Sequence, residues 1–293
     1  MSMLRVAATQ MACSWDLPAN LDRAEKLVRE AAAGGAQVIL IQELFETPYF
    51  CIEQDTKHFD LATTLEQNQS LKRFQALASE LEVVLPFSWF ERANRAFYNS
   101  LAMVDAGGEI LGIYRKSHIP NGPGYQEKNY FNPGDTGFKV WDTRYGKIGA
   151  GVCWDQWFPE AARSMALMGA ELLLYPTAIG SEPPPAITLD SSGHWQRTMQ
   201  GHAAANMVPV IASNRIGTEH ATHNSAYELT FYGHSFIADH TGEIVAQADD
   251  HSESVLLHEF DMEKIRSYRD AWGIYRDRRP DLYQTVSTLD GRS

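Results

Sequence analysis

The chain has 293 residues, 44% of them hydrophobic, and a formal net charge of −12, enough apolar content for one large core or two modest ones. That acidity disfavours nucleic acid as a partner, because phosphate binding needs a basic surface. No basic-then-apolar leader opens the sequence and no apolar stretch nears the ~18–20 residues that span a bilayer, so a cytoplasmic protein without membrane attachment is expected.

Residues 4–11 read as a strand, and 20–33 as a helix with Leu21, Ala24, Leu27, Val28 and Ala31 on one face. Asn20 is its expected N-cap, and Gly34-Gly35 its stop. The apolar run 36–41 ends in Gln42-Glu43, the pattern of a buried central strand delivering a polar residue at its tip. A loop with Pro48, Tyr49, Phe50 and Cys51 follows, then helical spacing over about 67–82 and a strand over 83–90. Residues 98–105 pair with 109–114 across Ala106-Gly107-Gly108, a hairpin whose second arm runs into Arg115-Lys116. The loop 119–137, dense in Pro, Gly and aromatics, carries Tyr125, Glu127, Tyr130 and Phe131, and a loop that long is more often functional than idle.

The apolar run 148–152 turns through Cys153-Trp154-Asp155 into a helix over about 158–169, with Pro159 and Glu160 suited to its first turn. A strand over 171–175, the loop 177–190, a helix over about 194–206 and a strand over 208–214 come next. Residues 228–237 and 242–248 read as a hairpin, 254–260 as a last strand and about 262–271 as a last helix, followed by a tail rich in Arg, Pro and Tyr. Strands alternating with helices, with hairpins mixed in, indicate an α/β fold of mixed sheets covered by helices, as one domain over residues 1–293.

Glu43, Lys116 and Cys153 each end a strand, where ligands bind in open α/β sheets. Their chemistry is complementary: a thiol needs a base, a carboxylate can be that base, and a cation can hold an oxyanion. A thiol at the start of a helix also feels free N–H groups that favour the thiolate. The bland alternatives are a small buried hydrophobe at Cys153 and a structural Glu–Lys ion pair. The three cysteines, Cys13, Cys51 and Cys153, are far apart and lack CxxC spacing, which argues against disulfides and zinc knuckles. His220 and His223 tempt a metal reading that lacks a helical frame, and no GxSxG, Walker or GxGxxG context occurs. No metal and no cofactor are expected.

Gln42-Glu43-Leu44, Arg115-Lys116-Ser117-His118 and Gly151-Val152-Cys153-Trp154-Asp155 match the three motifs of the nitrilase, or carbon–nitrogen hydrolase, superfamily, which the sequence resembles from residue 6 to about 260. The resemblance implies an αββα sandwich with Cys153 as nucleophile, Glu43 as general base, Lys116 and the Trp154 N–H on the oxyanion, and Glu127 as a fourth catalytic residue, a carboxylate that orients Lys116 or assists proton transfer. It also implies a poorly solvated Glu43. The segments 123–128, 154–160, 176–183 and 199–203 are similar to those of members acting on N-carbamoylputrescine. That implies cleavage through a carbamoyl thioester to putrescine, carbon dioxide and ammonia, a step of polyamine synthesis from agmatine.

Such a substrate places a cation on an apolar four-carbon arm. Glu182 is the candidate anchor, with Tyr130, Trp154 and Tyr49 as walls, and the bland reading of Glu182 is a solvated loop acid. A substrate carboxylate would instead need a cation, for which Arg197 and Arg215 are candidates. His194 and His202 read as packing or supporting residues. The resemblance also implies a homo-oligomer, with the tail of about 272–293 as an interface or folded on its own subunit. Two rivals stand: a related hydrolase for another carbamoyl compound or amide, and a non-catalytic assembly protein on the same fold.

Overall fold

The computed structural model describes residues 3–181, 190–225 and 227–292. In chain order its elements are β1 (Met3–Gln10), α1 (Leu17–Ala33), β2 (Val38–Leu40), α2 (Gln69–Leu81), β3 (Leu85–Ala93), β4 (Ala96–Val104) and β5 (Ile110–Arg115). There follow β6 (Val140–Thr143), β7 (Gly146–Ala150), α3 (Pro159–Leu167), β8 (Leu172–Pro176), α4 (Ser192–Asn206) and β9 (Val210–Ser213). The last are β10 (Thr218–His220), β11 (Glu228–Thr230), β12 (Phe236–Ala238), β13 (Ile244–Gln247), β14 (Ser254–Asp261) and α5 (Met262–Trp272).

Two sheets form the centre. One runs β14-β1-β2 and continues through a parallel bridge between Val38 and Val84 into β3-β4-β5; the other runs β13-β12-β9-β8-β7-β6. Period-two alternation decides the layers. Val6, Ala8, Val38 and Leu40 point between the sheets and meet Ile148, Ala150, Leu172 and Leu174. Their neighbours Ala7 and Ile39 point outward onto Leu21, Leu27 and Val28 of α1 and Phe74 and Leu77 of α2. On the other side Leu173 and Tyr175 face Met165 of α3 and Trp195 and Met199 of α4. The strands are apolar on both faces because each sheet is covered twice, and the result is the αββα sandwich. Each large aliphatic so buried contributes about 1.5–3 kcal/mol.

Three local readings change. α1 starts at Leu17 with Asp16 as N-cap, its side chain accepting from the Ala19 N–H at 3.1 Å. Asn20 is instead buried in the second turn, and its amide ties Ser14 to the Glu46 carbonyl. The stretch 228–237 is no single strand: Gly233 and His234 take φ of 58° and 50°. β11 therefore pairs with β10, and β12 leaves to join the second sheet. After Cys153 the chain enters a 3₁₀ turn (Cys153–Trp157) before α3 begins. Among the described residues no helix is long and apolar enough to cross a membrane. In the tail, the Tyr275 hydroxyl donates to the Asn206 carbonyl at 2.7 Å, while Trp272, Leu282 and Val286 stay exposed.

Candidate active site

The site is assembled where strands of both sheets end at one edge of the sandwich. Beyond β2, the Gln42 side chain locks onto the backbone of Met11, accepting from its N–H at 3.0 Å and donating to its carbonyl at 2.9 Å. Glu43 comes next, and Leu44 adopts φ 49°, a region a branched residue enters only when its surroundings hold it there. They do: the Ser88 hydroxyl accepts from the Leu44 N–H, and Arg215 donates to the carbonyls of Glu43 and Leu44. Lys116 follows β5, its N–H bonded to the Asn99 carbonyl and its own carbonyl accepting from Gly134 N at 2.8 Å. Position 134 must be glycine, since a Cβ would lie 2.0 Å from the Arg115 carbonyl oxygen. Cys153 sits on the turn beyond β7 with φ 44°, the second strained residue of the site.

The first two of these elements and the loop 119–137, which carries Glu127, bring one cation and two carboxylates together. Lys116 Nζ donates to Glu43 Oε1 at 2.9 Å and to Glu127 Oε1 and Oε2 at 2.9 and 2.7 Å, with all three side chains 0% exposed or nearly so. Asn99 Nδ2 donates to Glu43 Oε1 at 2.6 Å, whereas Glu43 Oε2 has no hydrogen-bond partner among the described residues. Glu43 thus holds one saturated oxygen and one free one, and the carboxylate is withdrawn from water as the resemblance implies.

Burial pushes the Cys153 thiol well up; the Glu43 charge adds to this, and Lys116 opposes it. This runs against the expectation of a helix-stabilised thiolate: a short 3₁₀ turn in a desolvated site beside a carboxylate favours the neutral thiol over the thiolate. Burial likewise raises Glu127 to about 7, although Lys116 pulls it down. Burial works against the Lys116 ammonium, yet Glu127 and Glu43 outweigh it and hold its pKa well above the usual lysine range.

Cys153 lies on the floor of a cavity of about 450 Å³ whose walls include Asn121, Tyr125, Trp154, Trp157, Ile179 and His194. Trp154 lines it as expected. Tyr49 and Tyr130 do not. Tyr49 is fully buried behind the carboxylates, its hydroxyl donating to Glu127 Oε1 at 2.5 Å. Tyr130 packs on Phe50 and Phe90, and its hydroxyl donates to the Glu53 carbonyl at 2.7 Å. Both rings turn inward because the aromatic cluster of residues 49–52, 90 and 130–131 buries them more fully than the cavity wall could. Glu182 lies outside the described residues. Arg197 is exposed on α4 and lines a different groove, and Arg215 is committed to Glu219 at 2.8 Å and to backbone carbonyls. His194 borders the cavity, and His202 bonds the Gln156 carbonyl at 2.7 Å. His220 contacts the Ser225 carbonyl, and His223 pairs with Asp55 at 2.7 Å.

The sequence reading missed Asn99 and Asp155. Plain counting across the Gly107-Gly108 turn puts Tyr98 opposite Lys116; a bulge between Met103 and Val104 shifts the register by one and brings Asn99 there instead, which nothing in the sequence announces. Asp155 is fully buried and accepts four hydrogen bonds: Val152 N–H at 2.9 Å, Tyr114 hydroxyl at 2.7 Å, His118 N–H at 3.0 Å and His118 Nδ1 at 2.7 Å. The His118 ring also stacks on Phe158 at 3.6 Å between centroids. Asp155 therefore fastens the residues flanking Lys116 to the turn that carries Cys153.

Residues 5–270 match the model of the carbon–nitrogen hydrolase family. The chain belongs to that family. It is 60% identical to the N-carbamoylputrescine amidase of Arabidopsis thaliana over 287 residues, 98% of this chain and 96% of the relative. It is 53% identical to the citrullinase of Francisella tularensis over 286 residues, covering 98% of this chain and 99% of the relative. Among solved structures it superposes on a carbon–nitrogen hydrolase of Helicobacter pylori with TM-score 0.92 at 38% identity, covering 98% of this chain and 99% of that one. Family membership makes the chain a hydrolase of non-peptide carbon–nitrogen bonds.

Proposed function

We infer that this hydrolase converts N-carbamoylputrescine to putrescine, carbon dioxide and ammonia. One observation carries the chemistry: a cysteine thiol faces a cavity, with a free carboxylate oxygen and a buried lysine behind it. The full-length 60% identity to a relative of that activity supports the substrate.

Substrate enters with its ureido carbonyl over Cys153. As sulfur attacks the carbon, the thiol proton passes to Glu43, whose Oε2 is the open acceptor. The tetrahedral oxyanion is held by Lys116, which turns one N–H away from Glu127, and by the Trp154 N–H. That N–H lies in the first turn of a helix, where amides lack intrahelical partners. Collapse breaks the bond to the terminal nitrogen, Glu43 returns the proton, and ammonia leaves a carbamoyl thioester on Cys153. Water then gives its proton to Glu43, attacks the thioester and releases the thiol and a carbamate, which decomposes to carbon dioxide and the amine.

The described cavity wall carries no Asp, Glu, Lys or Arg. From the sequence, Glu182 is the anchor we assign to the distal ammonium; Trp154 and Ile179 supply apolar wall for the four-carbon arm. A second reading, hydrolysis of citrulline, is favoured by the 53% identity to a citrullinase. It is weakened by the commitment of Arg215 to Glu219 and the placement of Arg197 on a different groove, which leave the described wall without a cation for the α-carboxylate. Three free thiols support residence in the cytoplasm, and the exposed Leu282, Tyr283 and Val286 of the tail support assembly with a second copy.

Ammonia release from N-carbamoylputrescine, citrulline, N-carbamoyl-β-alanine and a simple aliphatic amide tests the reading. N-carbamoylputrescine should be preferred, and Glu182→Gln should raise its KM more than it lowers kcat. Faster turnover of citrulline overturns the substrate, and an unchanged KM moves the anchor elsewhere.

A further inference from the structure

Lys116 has three N–H donors, and all three end on carboxylate oxygens. To hold an oxyanion it must release one of them, and the released oxygen would stay buried with a negative charge. Glu127 Oε1 is the oxygen equipped for that moment. It accepts from Lys116 at 2.9 Å and from the Tyr49 hydroxyl at 2.5 Å, so a donor remains when the ammonium turns away. Glu43 Oε1 would likewise keep Asn99 as a donor at 2.6 Å, but Glu127 takes two of the three Lys116 contacts, so one can be released while the other still holds the ammonium.

We propose, on the roles given above to Lys116 and Cys153, that Tyr49 is a positioning residue which frees Lys116 for the oxyanion by keeping the Glu127 carboxylate ionised and hydrogen-bonded.

The phenol can serve this way because both ends of the residue are fixed. Its N–H donates to Glu219 Oε2, and Glu219 Oε1 accepts from Arg215, which also holds the Glu43 and Leu44 carbonyls. The ring packs edge-on to Phe231 and tilted against Tyr125. Movement of the hydroxyl away from Glu127 would disturb both, so the phenol is a fixed donor. The groups acting on Glu127 are Lys116, Glu43 and Tyr49, and Glu127 in turn acts on Cys51 and Cys153. Cys51 is pushed up by burial, then by Glu127, and stays a neutral thiol. The ionisation of Glu127 is therefore set by burial, one cation, one like charge and the phenol. Burial raises Glu127 and the Tyr49 hydrogen bond lowers it.

The test is Tyr49→Phe, which keeps the ring and deletes the donor. With wild-type turnover of N-carbamoylputrescine established in the same assay, kcat should fall about 10-fold, the order of one hydrogen bond to a charged group, with KM nearly unchanged. The acid limb of the kcat profile should move up by about one pH unit as Glu127 protonates more readily. Site-specific 3-fluorotyrosine at position 49, a better donor of nearly the same shape, should move that limb the other way. It also serves if the Phe variant does not fold. A Phe variant with wild-type kcat and profile, or a fluorotyrosine enzyme with an unmoved limb, overturns the proposal. Absence of wild-type turnover would instead overturn the function above.

Discussion

Lys116 with Glu43 and Glu127, and Arg215 with Glu219, are two ion clusters withdrawn from water within one segment of each other, since Arg215 holds the backbone of Glu43 itself. Burial and hydrogen-bond distances are alike, but the number of carboxylates and the endpoints differ. Arg215 directs its hydrogen bonds to the carbonyls of Glu43, Leu44 and Thr47 and to Glu219, whose other oxygen accepts the Tyr49 N–H. Each of these contacts ends on scaffold. The Lys116 cluster keeps Glu43 Oε2 open and stands behind a thiol on a cavity floor. Buried charge alone therefore does not mark a catalytic centre. An open acceptor beside an accessible nucleophile does.

Substitutions should separate the two clusters. The largest effect belongs to Cys153→Ala, which should abolish turnover while leaving the melting temperature near wild type. Glu43→Gln should lower kcat by about 10²–10⁴-fold, the usual contribution of a general base, because its amide oxygen can still accept from Lys116 and Asn99 but cannot take the thiol proton. Arg215→Met should show the reverse pattern. It leaves Glu219 buried and uncompensated and should destabilise the fold by about 3–5 kcal/mol in urea titration, while kcat of the folded fraction falls less than in Glu43→Gln, because the Glu43 and Leu44 carbonyls lose a shared donor but the reacting groups remain. A collapse of kcat without loss of stability would erase the distinction.

Asp155→Asn lies between the two. Loss of the charged acceptor for Val152, Tyr114 and His118 should cost about 1.5–3 kcal/mol per hydrogen bond broken at most and should lower kcat more than it raises KM. The reason is that Asp155 joins the flanks of Lys116 to the Cys153 turn without reaching the cavity. A pure KM effect would place it with the substrate pocket instead.

The sequence by itself determined the layers and singled out the polar groups that the fold gathers at the site. Period-two and helical spacing sufficed for most strands and for the apolar face of α1, because burial on a regular element is a local, periodic property. Glu43, Lys116 and Cys153 were legible because each is a polar residue closing a strand inside a recognisable motif, and Glu127 through the family pattern. Only the tertiary structure decided where the long loops put their side chains. Tyr49 and Tyr130 were read as cavity walls, yet one donates to Glu127, 78 residues away, and the other seals an aromatic cluster. Asp155 meets Tyr114 and His118 across 41 and 37 residues. The protonation of Cys153 was likewise out of reach of a helix-terminus argument. It depends on how completely the two sheets and the loops beyond them exclude water around it, and desolvation is a property of the assembled fold rather than of any stretch of chain.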